Sequence, residues 1–377
     1  MPAPLRLIDL PRLVHRELVL LVVLSVLAVG AYFGTQAAAA AAREQVRSDA
    51  ARWYERGRAR LEGGLAVEAV EPLRRAVARD PEQWEYGRTL AEALAAAGQP
   101  ALARQTLQQW RLRRPEDVEV STQLARLEAR QGEADAAVAY YENALHGQWA
   151  PGALAGRQAL RRELIAYLLS QGRSAPALSH VLALAANQPD QPAAHAETAR
   201  LFLTAGDPRR ALEYYDRALR LAPDDLEAKV GAGEAAFELG DYPRTVRLLR
   251  GVEDERSQTR ARIAADVLAF DPLQPRLSFA ERERRLRRAL DYALARLAAC
   301  APAAAAPEPT PPAPMVVALT DYRDGLTPRA LREAPDALEE GLGLVYRALQ
   351  SGAARCGPLD DRGEALLRAA RDHGATG

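Results

Sequence analysis

Side chains able to do chemistry are sparse in this chain and stand far apart. The histidines are His15, His146, His180, His195 and His373, and no two have the three- or four-residue spacing of helix-borne metal ligands. Cys300 and Cys356 are the only cysteines, too few ligands for a metal site without a histidine nearby. The sequence has no Gly-x-x-x-x-Gly-Lys-Ser/Thr phosphate cradle and no Gly-x-Ser-x-Gly nucleophile elbow. Gly231-Ala-Gly233 lies in a helical stretch with no strand before it, which defeats a dinucleotide-binding reading. The paired acids Asp224-Asp225 and Asp360-Asp361 precede helical stretches and read as caps. The expectation is a chain that is not an enzyme, with no catalytic residue, metal or cofactor. Basic and acidic residues balance at 50 each, so no net field draws nucleic acid, and no nucleic-acid partner is expected.

What organises the chain is a 34-residue period. Gly64, Gly98 and Gly132 mark it, as do Gly172, Gly206 and Gly240, Pro81 and Pro115, and Pro189 and Pro223. Between glycine and proline come a small, a large and a small apolar residue: Ala69, Leu73 and Ala76, or Ala211, Tyr215 and Ala218. In one register the units begin near Ala50, Trp84, Val118, Gln158, Pro192 and Leu226. With Trp53, Gly57, Gly64, Ala69 and Pro81 at the fourth, eighth, fifteenth, twentieth and closing stations, the pattern resembles the tetratricopeptide repeat. The resemblance covers 50–257 and implies an all-α solenoid of about six repeats, each a pair of antiparallel helices. Small residues let the paired helices approach, glycine turns between them, and proline stops the second helix. Departures are local. The step from Gly132 to Gly172 is 40, with the surplus between Ala144 and Gln158; Ile165 replaces a small residue; Ser257 replaces a proline. A capping helix is expected over Ser257–Phe270.

The resemblance also implies that the first helix of each unit lines an inner groove. Arg58, Arg88, Arg126, Arg162 and Arg200 fall at the stations concerned. Guanidinium groups in a row suit carboxylates, whereas Glu92, Glu119, Glu227 and Glu234 share the groove and could neutralise it. The family's lysine-and-asparagine carboxylate clamp is not matched, because those stations hold no asparagine.

Ahead of the array, residues 1–17 form a tail and 18–42 carry no charge. About 20 apolar residues cross a bilayer, so Leu18 to about Ala38 is expected as a transmembrane helix with an alanine-rich linker behind it. A cleavable signal peptide is the alternative. Arginines flank both sides of the segment, but a short arginine-bearing tail resists export. That puts the N-terminus in the cytoplasm and the body in the periplasm of a bacterial inner membrane, the arginine-for-lysine bias reading as bacterial. A cytoplasmic body and secretion after cleavage stay open.

Behind the array, 258–300 holds the capping helix and a long helix opened by Ser278 and Glu281. Residues 301–314 form a proline- and alanine-rich linker, and 315–377 a helical segment with a second capping box at Asp336 and Glu339. If the two long helices run parallel, Cys300 and Cys356 meet in a disulfide; unpaired packing cysteines are the alternative. The chain is therefore expected to be a membrane-anchored, non-catalytic scaffold binding a protein or peptide partner. The alternative is a tethered cytoplasmic adaptor that regulates a soluble enzyme.

Overall fold

The computed structural model describes residues 10–299, 314–334 and 336–376, the side chains of 10–17 and 353–356 excepted. Every regular element among the described residues is a helix. The chain divides into two compact units, Met1–Tyr167 and Leu168–Gly377.

The first unit opens on α1 (Leu10–Glu62), which runs without interruption from the apolar segment into the first repeat. The alanine-rich stretch expected as a linker is thus helical. Ala37–Ala42 are the best helix formers, and no proline follows Pro11 until Pro72. Next come α2 (Ala66–Arg79), α3 (Trp84–Ala96), α4 (Pro100–Arg113), α5 (Val118–Gln131), α6 (Ala134–His146) and α7 (Leu154–Ser170). The last turns of α1 pack on α2, α3 on α4, and α5 on α6. Each pair turns on a glycine with positive φ: Gly64 at 77°, Gly98 at 75° and Gly132 at 79°. A Cβ there would be strained. Twentieth-station Ala69, Ala103 and Ala137 are fully buried, as is Ile165.

Two details show how volume is shared. A Cβ on Gly87 would lie 2.1 Å from Trp110 Nε1, so the fourth-station glycine of repeat two makes room for the tryptophan that closes its second helix. Repeat one reverses the exchange, with Trp53 at the fourth station and buried Ala76 at the other. Pro72 sits inside α2 and removes the amide that would bond Glu68 O. Arg60 Nη1 donates to that carbonyl instead, at 2.9 Å.

The surplus residues form a braced loop. Gln148 N donates to Glu116 O at 3.0 Å, and Trp149 Nε1 donates to Ala144 O at 3.0 Å. Helix α7 then begins at Leu154, four residues before the expected unit start at Gln158.

In the second unit, α8 (Ser174–Ala185), α9 (Pro192–Thr204), α10 (Pro208–Leu221), α11 (Leu226–Glu238) and α12 (Tyr242–Leu248) continue the repeats. Helix α13 (Glu255–Phe270) starts two residues before the expected Ser257, because Asp254 caps it by accepting from Ser257 N at 2.9 Å. Beyond it lie α14 (Phe279–Ala299), α15 (Pro314–Gly325), α16 (Pro328–Glu333), α17 (Ala337–Cys356) and α18 (Asp361–Asp372). Pro314, expected in the linker, is the first residue of α15.

Ser278 caps α14 as expected, but Asp336 makes no cap bond to α17. Its backbone is already helical (φ −82°, ψ −7°), outside the extended conformation from which a cap side chain folds back. Gly341 meets Leu286 and Arg296 bonds the carbonyls of Gly357 and Pro358, so α14 and α17 run parallel. The Cys300–Cys356 bridge itself lies outside the described residues. Helix α18 packs on α13, and their core takes in Phe237 and Tyr242 of the sixth repeat.

Candidate partner-binding face

Each expected groove arginine occupies the first helix of its repeat, and most are already engaged. Arg58 pairs with Glu55 at 2.9 Å and Glu62 at 3.4 Å within α1. Arg88 pairs with Glu92 at 2.9 Å on its own helix and reaches Glu119 of α5 at 3.4 Å. Arg126 grips Glu163 with both arms, at 2.8 and 2.7 Å, and the Tyr141 hydroxyl donates to the same carboxylate at 2.7 Å. Arg162 is half-buried. Arg200, in the second unit, is exposed and forms no ion pair among the described residues. The face is therefore mixed in charge over repeats one to three.

Glu163 is the residue that sequence reasoning missed. It lies beside Arg162, off the stations the resemblance marks, and nothing in the spacing singles it out. The bonds from Arg126 hold its carboxyl below the usual carboxylate range, and the Tyr141 bond adds to this. Burial, helped by Glu163, pushes the Tyr141 hydroxyl up. Both groups stay in their ordinary charge states near neutrality, so the cluster braces α5 against α7 and has no poised acid or base.

Glu92 and Glu119 neutralise the face as the sequence allows, both through Arg88. Glu234 does so differently: its partners are Arg256 at 3.0 Å and Arg260 at 2.6 Å, both on α13. Phe237, at another station of the sixth repeat, is covered by the Arg368 guanidinium of α18, 3.9 Å from its ring. The last repeat is thus occupied by the chain's own carboxy-terminal helices.

Three adjoining clefts of the first unit open at the N-terminal ends of α3 and α5. One cleft of about 490 Å³ is lined by Arg88, Glu119, Gln123, Arg126, Gln148 and Trp149. Its neighbours, of about 330 and 580 Å³, share Arg114 and Glu119 and add Glu82, Trp84, Glu85, Glu116 and Asp117. The braced loop supplies one wall, so the six surplus residues build part of this surface.

The histidines stay apart. His195 is buried between Asp190 at 2.7 Å and Gln188 at 2.8 Å, where it ties the preceding loop to α9. His146 is exposed, and the His15 side chain lies outside the described residues. His373 bonds buried Asp271 at 3.0 Å, which raises its pKa above the usual imidazole value. No group of three metal-capable side chains comes together among the described residues.

Family models described as tetratricopeptide repeat match residues 60–127 and 196–258. No curated protein matches the chain. Solved structures that resemble it include pilF of Pseudomonas aeruginosa, 17% identical, covering 56% of this chain and 92% of that one with a TM-score of 0.37. PilW, described as a widely conserved type IV pilus biogenesis factor, is 18% identical over 56% of this chain and 97% of its own, with a TM-score of 0.37. The C-terminal part of a TPR repeat-containing protein from Cytophaga hutchinsonii is 10% identical over 83% and 99%, with a TM-score of 0.41. Both family matches fall where the 34-residue period, the left-handed glycines and the paired helices coincide, and the chain is a tetratricopeptide repeat protein.

Proposed function

We propose that this protein is a membrane-anchored, non-catalytic scaffold or adaptor. Its repeats hold a protein or peptide partner on the periplasmic side of a bacterial inner membrane. The observation that carries the binding role is the open, mixed-charge face of repeats two and three, walled by the braced loop and supported by engaged ion pairs. Such a face suits polar, extended contacts with a partner, since tetratricopeptide repeats serve as protein-interaction modules. Anchoring is supported by α1, which is long and apolar enough to cross a membrane, with the large apolar side chains of Leu18–Val29 exposed. A signal sequence would pass the same test.

The topology decides between readings. Reporters fused after Arg43 and at the C-terminus, read in cells with the thiol state of Cys300 and Cys356, are expected to show an exported body with blocked thiols. Activity only of a cytoplasm-dependent reporter, with free thiols, would leave the tethered cytoplasmic adaptor. The arginines Arg43, Arg47 and Arg52 behind the segment favour that second reading. A mature protein beginning near Ala42 would leave a secreted one.

A further inference from the structure

The clefts at the start of α3 and α5 have a fixed relation to the apolar segment, because α1 carries both the segment and the first helix of repeat one. Helix α3 lies alongside the end of α1, with Tyr54 and Tyr86 stacked at 4.6 Å and Tyr54 Oη 3.4 Å from Thr89 Oγ1. Trp84 and Val118 stand one and two periods after Ala50. At about 1.5 Å per residue, Ala50 lies ~12 Å beyond Ala42, where the uncharged run ends. The cleft residues, spread over two helical turns from there, occupy a zone whose height along the α1 direction is on the order of 10–25 Å above that point. The opposite edge of the unit, with Gly64, Gly98 and Gly132, points away from it.

From this placement we infer that the occupant of the clefts is the juxtamembrane segment of another membrane-spanning protein, an extended stretch bearing lysine or arginine. The inference rests on the membrane anchor alone, not on the side of the bilayer that holds the body, and adds the class of partner. Charge complementarity selects the basic chemistry. Arg88 and Arg126 are held by Glu92, Glu119 and Glu163. Arg114 is matched by Asp117 at 3.6 Å. Glu85 is exposed without an ion-pair partner among the described residues, where the exposed Glu116 carboxylate accepts only from the Gln148 side-chain amide. Glu82 is 84% exposed with Arg113 no nearer than 3.9 Å. The charge left over on the membrane-facing lip is acidic. Long basic side chains near the ends of spans reach to the interface, which brings them to the height of this lip. Trp84 and Trp149 supply flat apolar walls beside it.

The test uses the full chain in cells. A photo-crosslinking residue is placed at Gln123 or Ala150 in the cleft, and at Ala101 or Gln131 on the far edge. Carbonate-washed membranes are then digested and the crosslinked peptides sequenced. The expected result is cleft crosslinks to peptides that adjoin a membrane span and contain lysine or arginine. The combined substitution Glu82→Gln, Glu85→Gln and Glu116→Gln should lower their yield about fivefold, with unchanged circular dichroism. Cleft crosslinks to soluble proteins or to peptides remote from any span overturn the inference. So do crosslinks confined to Ala101 and Gln131, none from the cleft, or a yield indifferent to the triple substitution. A chain that washes off the membrane overturns the anchor reading as well, whereas a retained chain with the wrong crosslinks overturns this inference alone.

Discussion

In the repeats, neighbours exchange volume at stations a fixed distance apart. Gly87 vacates what Trp110 fills, Gly233 vacates what Leu249 fills, and a buried alanine recurs at the twentieth station of the first five repeats. The carboxy-terminal bundle is fastened by polar side chains that reach across long sequence separations. Arg287 donates to the carbonyls of Arg323 at 3.2 Å and Leu326 at 2.7 Å, Arg296 to those of Gly357 and Pro358, and Tyr292 to Asp360 at 2.5 Å. Burial and that last bond push the Tyr292 hydroxyl up to about 12. Packing by exchange repeats itself and so leaves a period. Packing by individual ties occurs once at each place and leaves none.

The largest expected effect tests the exchange. Trp110→Ala should cost about 3–5 kcal/mol in urea unfolding, and adding Gly87→Trp should restore part of it by adopting the arrangement of repeat one. A double variant no better than the single would show that the stations are not interchangeable.

Next comes the bundle. Asp271 is buried and accepts from Leu273 N at 2.8 Å, Gln274 Nε2 at 2.9 Å and His373. Asp271→Ala should cost about 2–3 kcal/mol by stranding those donors.

The two regions should also differ in the sign of their pH response. The raised pKa of His373 means that its contribution is complete below the ordinary imidazole value and fades as pH rises through the raised one. The lowered pKa of Glu163 means that its contribution is complete above the ordinary carboxylate value and fades as pH falls through the lowered one. Both groups are partly exposed, so each effect should be under ~1 kcal/mol. Imidazole NMR of His373 and melting curves of Glu163→Gln between acid and neutral pH would show whether the slopes oppose.

The smallest effect concerns Pro72. Arg60→Ala should cost a few tenths of a kcal/mol in the native chain and nothing beside Pro72→Ala, where the helix amide returns to Glu68 O. Equal losses in both backgrounds would mean that Arg60 acts elsewhere.

Much of the array was legible because its determinants are local: left-handed glycines, buried alanines and stopping prolines recur in phase. The groove arginines could be placed at their stations, but their partners could not. Glu163 is 37 residues from Arg126, and only the folded loop decides that the two meet. The capping motif at Asp336 misled because a cap needs an extended backbone, which residue identity does not guarantee. The Arg60–Glu68 bond needed both the position of Pro72 in α2 and the turn that brings α1 alongside.

An unbroken α1 leaves no swivel between the apolar segment and the first repeat. With Leu18–Ala42 in a bilayer, the first unit could not sweep a hemisphere as it would on a glycine-rich leash, and would lean only as far as the rod itself tilts. Its search for a partner in the same bilayer would become nearly two-dimensional, at constant height and with one edge always leading. Even a weak contact would then gain from high effective concentration, and inserting a few glycines after Ala42 would forfeit that gain without altering any contact surface.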